Sequence, residues 1–225
     1  MSGIARPTRA LAQGPLRLAL PRGALFERTL DRLDAIGVPT SELRSDSRSL
    51  VFEAGGMVLV TMRPSDVPTY VEAGAADLGI TGKDVLMEQS DRAFYELLDL
   101  GYGACRMVVA APTGDEHVAS HERRLGAVRI ATKYPRIAER FFEETGRRAE
   151  VIEVKGSVEL APLSGLADAI VDLVDTGRTL QENGLEVREE IAASTARLIA
   201  NRVAHKLRAQ EIDELIARLR EAGAR

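Results

Sequence analysis

Ala167-Asp168-Ala169-Ile170-Val171-Asp172-Leu173-Val174-Asp175-Thr176-Gly177-Arg178-Thr179-Leu180 passes from an apolar run into a polar turn and then into a helix. Ala167–Val174 reads as a buried strand. Thr176-Gly177 turns it into a helix that ends at Asn183-Gly184. Upstream the same alternation recurs. Met107–Ala111 is an apolar strand closed by Pro112-Thr113-Gly114, and the polar run Asp115–Arg124 is a candidate linker or excursion. Arg129–Ala131 is a strand. Pro135 opens a helix carrying Ile137, Phe141 and Phe142, with Gly146 just past its end. Val151–Val154 is a strand, and Ser157 is expected to cap a short helix through about Leu163.

Nearer the start, Leu16, Leu18 and Leu20 alternate with Arg17 and Ala19 as in a strand, and Pro21-Arg22-Gly23 turns the chain. Phe26, Leu30, Leu33 and Ile36 form a helical stripe stopped by Gly37 and Pro39. A strand over Met57–Val60 leads to a helix capped by Ser65 or Asp66, with Pro68 in its first turn. Asp77–Ile80 is a strand followed by a helix at Lys83. Toward the end, Val187–Ile191 and Ala196–Ala200 read as strands. The last helix carries Ile212, Leu215, Ile216 and Leu219 as one apolar stripe, ordinary core or a partner-binding face. This alternation predicts an α/β chain with largely parallel sheets. Glu72–Gly82 and Ser164–Val171 each place Gly-x-Ala-Asp ahead of an apolar strand, about 91 residues apart. That weak repeat suggests two similar α/β lobes facing a ligand cleft.

The composition excludes several classes. The chain has 225 residues, 45% hydrophobic and 28% charged, with a net charge of −4. That length suits one large globular domain or two small ones, and the charge argues weakly against nucleic acid as partner, which calls for a basic face. With no Trp, five Phe and four Tyr, an aromatic platform for single strands is not expected. The single cysteine, Cys105, excludes an intramolecular disulfide and a cysteine cage for metal. Of the histidines His117, His121 and His205, only the first two are close in sequence, and they sit in a polar stretch. No run is apolar enough to span a membrane. Residues 1–15 lack a long apolar core and read as a disordered tail, not a signal peptide. A reducing cytoplasm is the expected compartment.

The chemistry-bearing segment is Asp172 to Thr179. Unpaired backbone N–H groups at the helix start, the Thr176 and Thr179 hydroxyls and the Arg178 guanidinium make a phosphate cradle. Gly177 leaves room for the phosphate to approach. Asp172 and Asp175 do not hold phosphate themselves; carboxylates there suit ribose hydroxyls, which donate hydrogen bonds, or a magnesium ion. A capped strand-to-helix turn without ligand would use Thr and Asp in the same places, so on the residues alone both readings stand. A Walker-type phosphate loop is absent from the sequence.

The run Lys155-Gly156-Ser157-Val158-Glu159-Leu160-Ala161-Pro162, then Gly165 through Leu180, and on to Asn183-Gly184-Leu185, resembles the phosphoribosyl-pyrophosphate signature of ATP phosphoribosyltransferases. Ser65–Val71, Gly74–Leu86, Gly103–Arg106 and Arg129–Pro135 match other motifs of that family in order, and the resemblance covers roughly Leu16 to Ala200. It implies a two-lobed fold like the periplasmic binding proteins, with a central ligand cleft. The first lobe would comprise residues 16–108 plus 196–225, and the second residues 109–195. Glu159 and Asp172 match the ribose-binding acids, and Asp175, Thr176, Gly177, Arg178 and Thr179 match the phosphate loop. Asp84 matches an acid of the nucleotide pocket, and Arg22, Arg48 and Arg63 match basic residues on the phosphate side. Arg63 and Asp84 are thus expected at ATP, and Arg48 and Arg22 at the leaving pyrophosphate.

One departure bears on those assignments. Relatives commonly carry Lys-Gly-Arg after the first strand, where this chain has Arg22-Gly23-Ala24, so Arg48 becomes the favoured neutraliser of the pyrophosphate. The chain length resembles the short form of the enzyme, which works with a regulatory subunit related to histidyl-tRNA synthetase. The implied substrates are ATP and phosphoribosyl pyrophosphate, with magnesium as cofactor and a homodimer inside the hetero-oligomer as the assembly. Two other classes share the architecture or the sequence. A solute-binding protein would need a signal or lipid anchor and has no use for the cradle. A catalytically weak interaction subunit rests on Ala24 alone.

Overall fold

The computed structural model describes residues 14–45, 48–114 and 127–224. The expected tail, except Gly14 and Pro15, the run Asp115–Arg124, and with it His117 and His121, lie outside the described residues. The described chain forms two compact units. One holds the residues up to Gly103 and from Thr195 onward; the other is Ala104–Ser194.

The first unit is built on a six-stranded sheet. Its strands are β1 (Leu16–Pro21), β2 (Val51–Ala54), β3 (Met57–Met62), β4 (Leu78–Gly82), β5 (Phe94–Asp99) and β11 (Ala196–Asn201), in the order β2-β3-β1-β4-β11-β5. β1 runs parallel to β3 and β4, while β2, β11 and β5 pair antiparallel. The sheet is therefore mixed, and the largely parallel expectation holds only at its centre. A hairpin at Gly55-Gly56 adds one antiparallel edge, and the returning β11 adds the other.

Both faces of this sheet are covered. Leu16, Leu18 and Leu20 of β1 pack with Leu30 and Leu33 of α1 (Phe26–Ala35). Ile212, Leu215, Ile216 and Leu219 of α9 (Ala209–Gly223) join the same core, so the terminal stripe is core packing. On the opposite face Ala19 and Ile199 meet Val67 and Val71 of α3 (Val67–Glu72) and Leu86 of α4 (Lys83–Glu88). Alternation along β1 sends its side chains to both layers. The remaining helices of this unit are α2 (Ser41–Arg44) and α8 (Arg202–Leu207).

The second unit has a five-stranded mixed sheet. Its strands are β6 (Cys105–Pro112), β7 (Val128–Thr132), β8 (Ala149–Glu153), β9 (Ala169–Val174) and β10 (Leu185–Ser194), in the order β10-β6-β9-β7-β8. β7 is parallel to β8 and β9, whereas β6 pairs antiparallel with β9 and β10. All of β6 pairs in this sheet, so a division between residues 108 and 109 would cut it. The helices are α5 (Pro135–Glu144), α6 (Leu160–Leu163) and α7 (Arg178–Glu182).

The weak sequence repeat is also a repeat of geometry. Asp77 donates its N–H to Arg17 O at 2.9 Å and accepts the Arg17 N–H on Oδ2 at 2.8 Å. Asp168 does the same with Arg129, at 2.9 Å in both directions. Each aspartate clamps the second residue of the neighbouring parallel strand, Arg17 of β1 or Arg129 of β7, and so fixes register at the start of both sheets.

Two expected caps are corrected. Ser157 does not cap α6; the helix starts at Leu160 with Glu159 at the N-cap, and Ser157 contributes its carbonyl to Leu160 N–H at 3.4 Å. Asp66 holds the N-cap position of α3, but neither it nor Ser65 makes a side-chain cap bond there; a short 3-10 turn over Pro64–Asp66 leads the chain in instead.

Candidate active site

In the second unit the carboxyl ends of the parallel strands β7, β8 and β9 carry the polar segments singled out from the sequence. Asp172 sits near the end of β9, its side chain only 14% exposed. Its Oδ1 accepts the Leu173 N–H at 2.9 Å, and its Oδ2 lies 3.9 Å from Lys133 Nζ. Burial pushes the Asp172 carboxyl above its usual range, and the negative charge of Glu159 pushes the same way; the Leu173 N–H and the Lys133 charge oppose them. Glu159 and Asp172 are therefore electrostatic neighbours, although they are far apart in sequence. The Asp172 carboxylate, with Oδ1 on the Leu173 N–H, keeps Oδ2 as an acceptor of the kind a ribose hydroxyl requires.

Three residues after Asp172 the strand gives way to the loop Asp175-Thr176-Gly177. Gly177 is at the N-cap of α7 with φ +81°, a left-handed conformation that side chains rarely adopt. Asp175, Thr176, Arg178 and Thr179 are exposed. The Thr176 hydroxyl accepts the Arg178 N–H at a long 3.4 Å. Arg178 Nε donates to Glu182 Oε1 at 2.7 Å, but both side chains are largely exposed. An exposed i,i+4 pair of this kind contributes little and yields readily to a dianionic phosphate. The loop thus offers backbone donors, two hydroxyls and a guanidinium on one open turn.

In the first unit the carboxyl ends of β1, β3 and β4 carry Arg22, Arg63 and Asp84. Arg22 is held on three sides. Its N–H donates to Met62 O at 2.8 Å, its Nε to Thr61 Oγ1 at 3.0 Å and its Nη2 to Ser49 O at 3.4 Å. Its guanidinium also stands over the Phe26 ring at 5.6 Å. The Ser49 contact ties Arg22 to the segment that carries Arg48. Antiparallel pairing of Val51 with Val60, continued by the Thr61 N–H to Leu50 O, brings Arg48 to the same edge as Arg63. Arg22, Arg48 and Arg63 are all exposed there. Asp84 is buried in the first turn of α4, and a Cβ at Gly82 would collide with its carboxylate. Ala24 is exposed just after Arg22 and has no side chain to reach a ligand.

The sequence reading did not assign Lys133 or Thr132. Thr132 is fully buried; its hydroxyl donates to Val171 O at 2.6 Å and accepts the Tyr134 N–H at 2.9 Å. The signal was available, because Lys133 directly follows a strand whose carboxyl end lies beside that of β9. Among the described residues no group of three His, Cys, Asp or Glu side chains comes together as a metal cage. No helix of the described residues is long and apolar enough to cross a membrane.

Two mixed-sheet α/β units, each with polar residues at the carboxyl ends of its central parallel strands, define the periplasmic-binding-protein-like fold, here with an open polar loop at Asp175–Thr179. In agreement, the chain matches the aliphatic sulphonate binding protein SsuA of Escherichia coli with a TM-score of 0.60 at 14% identity, over 94% of this chain and 73% of that one, a likeness of fold alone. Residues 63–221 match the family model described as HisG: ATP phosphoribosyltransferase. A relative named ATP phosphoribosyltransferase from Rubrobacter xylanophilus is 56% identical over 211 residues, covering 92% of this chain and 96% of the relative. One of the same name from Symbiobacterium thermophilum is 50% identical over 216 residues, covering 94% and 96%. A chain of the ATP phosphoribosyl transferase (HisG:HisZ) complex from Thermotoga maritima superposes with a TM-score of 0.78 at 36% identity, over 93% of this chain and 98% of that one. The chain belongs to the ATP phosphoribosyltransferase family.

Proposed function

We propose that this chain transfers the phosphoribosyl group of phosphoribosyl pyrophosphate to ATP, giving phosphoribosyl-ATP and pyrophosphate, the first step of histidine biosynthesis. The observation that carries the site assignment is the largely buried Asp172 carboxylate near the end of β9, three residues ahead of the exposed Asp175–Thr179 loop in which Gly177 takes φ +81°. Glu159 and Asp172 orient the ribose through its hydroxyls. Asp175, Thr176, Gly177, Arg178 and Thr179 cradle its phosphate. Arg63 and Asp84 serve ATP.

Adenine N1 attacks the anomeric carbon, the bond from that carbon to the pyrophosphate oxygen breaks, and the electron pair leaves with pyrophosphate. The carbon inverts, and no protein nucleophile is required. What the protein supplies is alignment of two polyanions and neutralisation of the charge that grows on the leaving group. Arg22 and Arg48 provide that neutralisation. The tethering of Arg22 by Thr61, Met62 and Ser49 supports a preorganised donor at that edge. Magnesium would accompany the reaction as the counterion of the pyrophosphate group of the substrate.

The relative from Thermotoga maritima was solved as a HisG:HisZ complex, which supports a second subunit for this chain. We take that subunit to be regulatory and related to histidyl-tRNA synthetase, with this chain as a homodimer inside the assembly. The cytoplasm, where both substrates are made, is the proposed compartment. The test is direct. The chain is mixed with ATP, phosphoribosyl pyrophosphate and magnesium, with and without the partner subunit, and phosphoribosyl-ATP is followed by absorbance. Product that depends on both substrates is the expected result; none under either condition overturns the proposal.

A further inference from the structure

Asp172 has a cation beside it that the sequence left without a role. Lys133 follows the last residue of β7, in parallel register with β9 through Thr132 and Val171. Thr132 pins this point. Its buried hydroxyl bridges Val171 O and Tyr134 N–H, so the residues on either side of Lys133 are tied to the residue just before Asp172. The Thr132 carbonyl in turn accepts the Val154 N–H at 2.9 Å, which locks the start of the Lys155–Glu159 segment to the same place. Three strand ends thus lie together, and two of them carry Lys133 and Asp172.

The Lys133 side chain is 40% exposed and reaches Asp172 Oδ2 at 3.9 Å, beyond hydrogen-bond range. The contact is an ion pair, so the ammonium donors are not spent on Asp172. Of the two Asp172 oxygens, Oδ1 is already turned toward the Leu173 N–H, which leaves Oδ2 as the atom for a ligand. Without a nearby cation, that oxygen would face only the like charge of Glu159 and a buried surround.

We propose that Lys133 is a positioning residue of the phosphoribosyl pyrophosphate site, aiming Asp172 Oδ2 at the ribose hydroxyls and balancing the charge of that largely buried carboxylate. The inference rests on the proposed function. It goes beyond it by giving Lys133 a task distinct from that of the phosphate loop. Removing the ammonium takes away a charge that opposes the effect of burial on Asp172, so Asp172 takes up a proton at a higher pH and stops accepting hydrogen bonds from the ribose.

The experiment compares wild type with Lys133→Met and Lys133→Arg in steady-state kinetics against each substrate from neutral pH downward, with thermal unfolding as a check on folding. Lys133→Met is expected to raise KM for phosphoribosyl pyrophosphate roughly two- to fivefold at neutral pH, as befits a half-exposed ion pair, and to leave KM for ATP alone. The acid limb of kcat/KM for phosphoribosyl pyrophosphate should move up by about half a pH unit, and Lys133→Arg should restore both. A purely structural lysine would lower stability without moving the acid limb. Lys133→Met profiles that superimpose on wild type, or an equal loss toward both substrates that arginine does not repair, overturn the proposal. A wild-type chain with no dependence on phosphoribosyl pyrophosphate overturns the proposed function, and this inference with it.

Discussion

Arg208→Met tests the clamp at the base of the first sheet. Arg208 is 7% exposed and Asp77 is 2% exposed; the guanidinium Nη1 lies 3.3 Å from Asp77 Oδ2. Arg208 also meets Glu211 at 2.7 and 3.0 Å and donates to Gly14 O at 2.9 Å. Methionine keeps most of the stem and removes the charge. Asp77 then retains one partner, the Arg17 N–H at 2.8 Å, and its Oδ1 already finds none among the described residues. Breaking a buried ion pair from one side costs about 3–5 kcal/mol, and the surviving Arg17 bond favours the lower end, about 3 kcal/mol. Glu211 adds little, being half exposed. With m of about 2 kcal/mol/M, the urea midpoint should fall by about 1.5 M, read by far-UV circular dichroism.

The loss should also depend on pH. Burial raises the Asp77 carboxyl above 3.8, and the charge of Arg208 is one of the effects that restrain the rise. An acid whose folded-state pKa lies above its unfolded value binds more protons when folded. Its presence therefore favours folding as pH falls through the folded value toward 3.8 and weighs against it above. In Arg208→Met the restraint is gone, so the deficit should shrink on acidification. Adding Asp77→Asn should recover more than 1 kcal/mol at neutral pH, because the unpaired charge is removed while an acceptor for Arg17 N–H remains. Arg129→Met provides the internal control. Its guanidinium grips Asp168 at 2.7 Å but is one-third exposed, so its midpoint should move far less. An Arg208→Met loss no larger than that of Arg129→Met, or no recovery on adding Asp77→Asn, refutes the buried-pair reasoning.

Other perturbations follow from the sites. Arg48→Ala should cut kcat about 10²-fold while KM for ATP stays within about threefold, since its charge is called on as pyrophosphate departs; wild-type-like turnover removes Arg48 from the reaction. Asp172→Asn should raise KM for phosphoribosyl pyrophosphate about tenfold. It should also abolish the acid limb of wild-type binding, because the ionised form accepts the ribose hydroxyls and is lost as pH falls through a value held above 3.8; an unchanged limb assigns that titration elsewhere. Leu219→Ala should cost about 3 kcal/mol in urea unfolding of the isolated chain, as for a fully buried leucine; a loss confined to partner binding would make the stripe an interface.

Periodicity served well where an element is amphipathic or uniformly buried. The stripe of α9, the alternation of β1 and the run that became β9 are each fixed by the layer they face, so their residues announce them. Elements whose partners are remote did not. β5, Phe94–Asp99, is an edge strand whose leucines are half buried and whose Glu96 and Asp99 pair with Arg197 of β11; its pattern has neither period. β2 was missed although Gly55-Gly56, both at positive φ, is a strong hairpin signal between Ala54 and Met57. Mixed sheets were read as parallel for the same reason. The antiparallel edges come from a hairpin and from a strand that returns from a distant part of the chain.

The site divides along the same line. The loop at Gly177 was legible because its function is local: strand, turn and helix start are contiguous, and the glycine is demanded by the backbone. The acid and its lysine were not legible as a unit, since Lys133 and Asp172 come together through the parallel pairing of β7 with β9. The aspartate clamp explains why such meetings are reliable. Asp77 and Asp168 each lock the start of one parallel strand to its neighbour, so residues a strand-length later arrive at the carboxyl edge in fixed register: Arg22 beside Met62 in one sheet, Lys133 beside Asp172 in the other. A one-residue slip would turn every side chain of the strand to the opposite face. What the sequence showed as a faint Gly-x-Ala-Asp echo is, in the fold, the register device on which both halves of the chemistry depend.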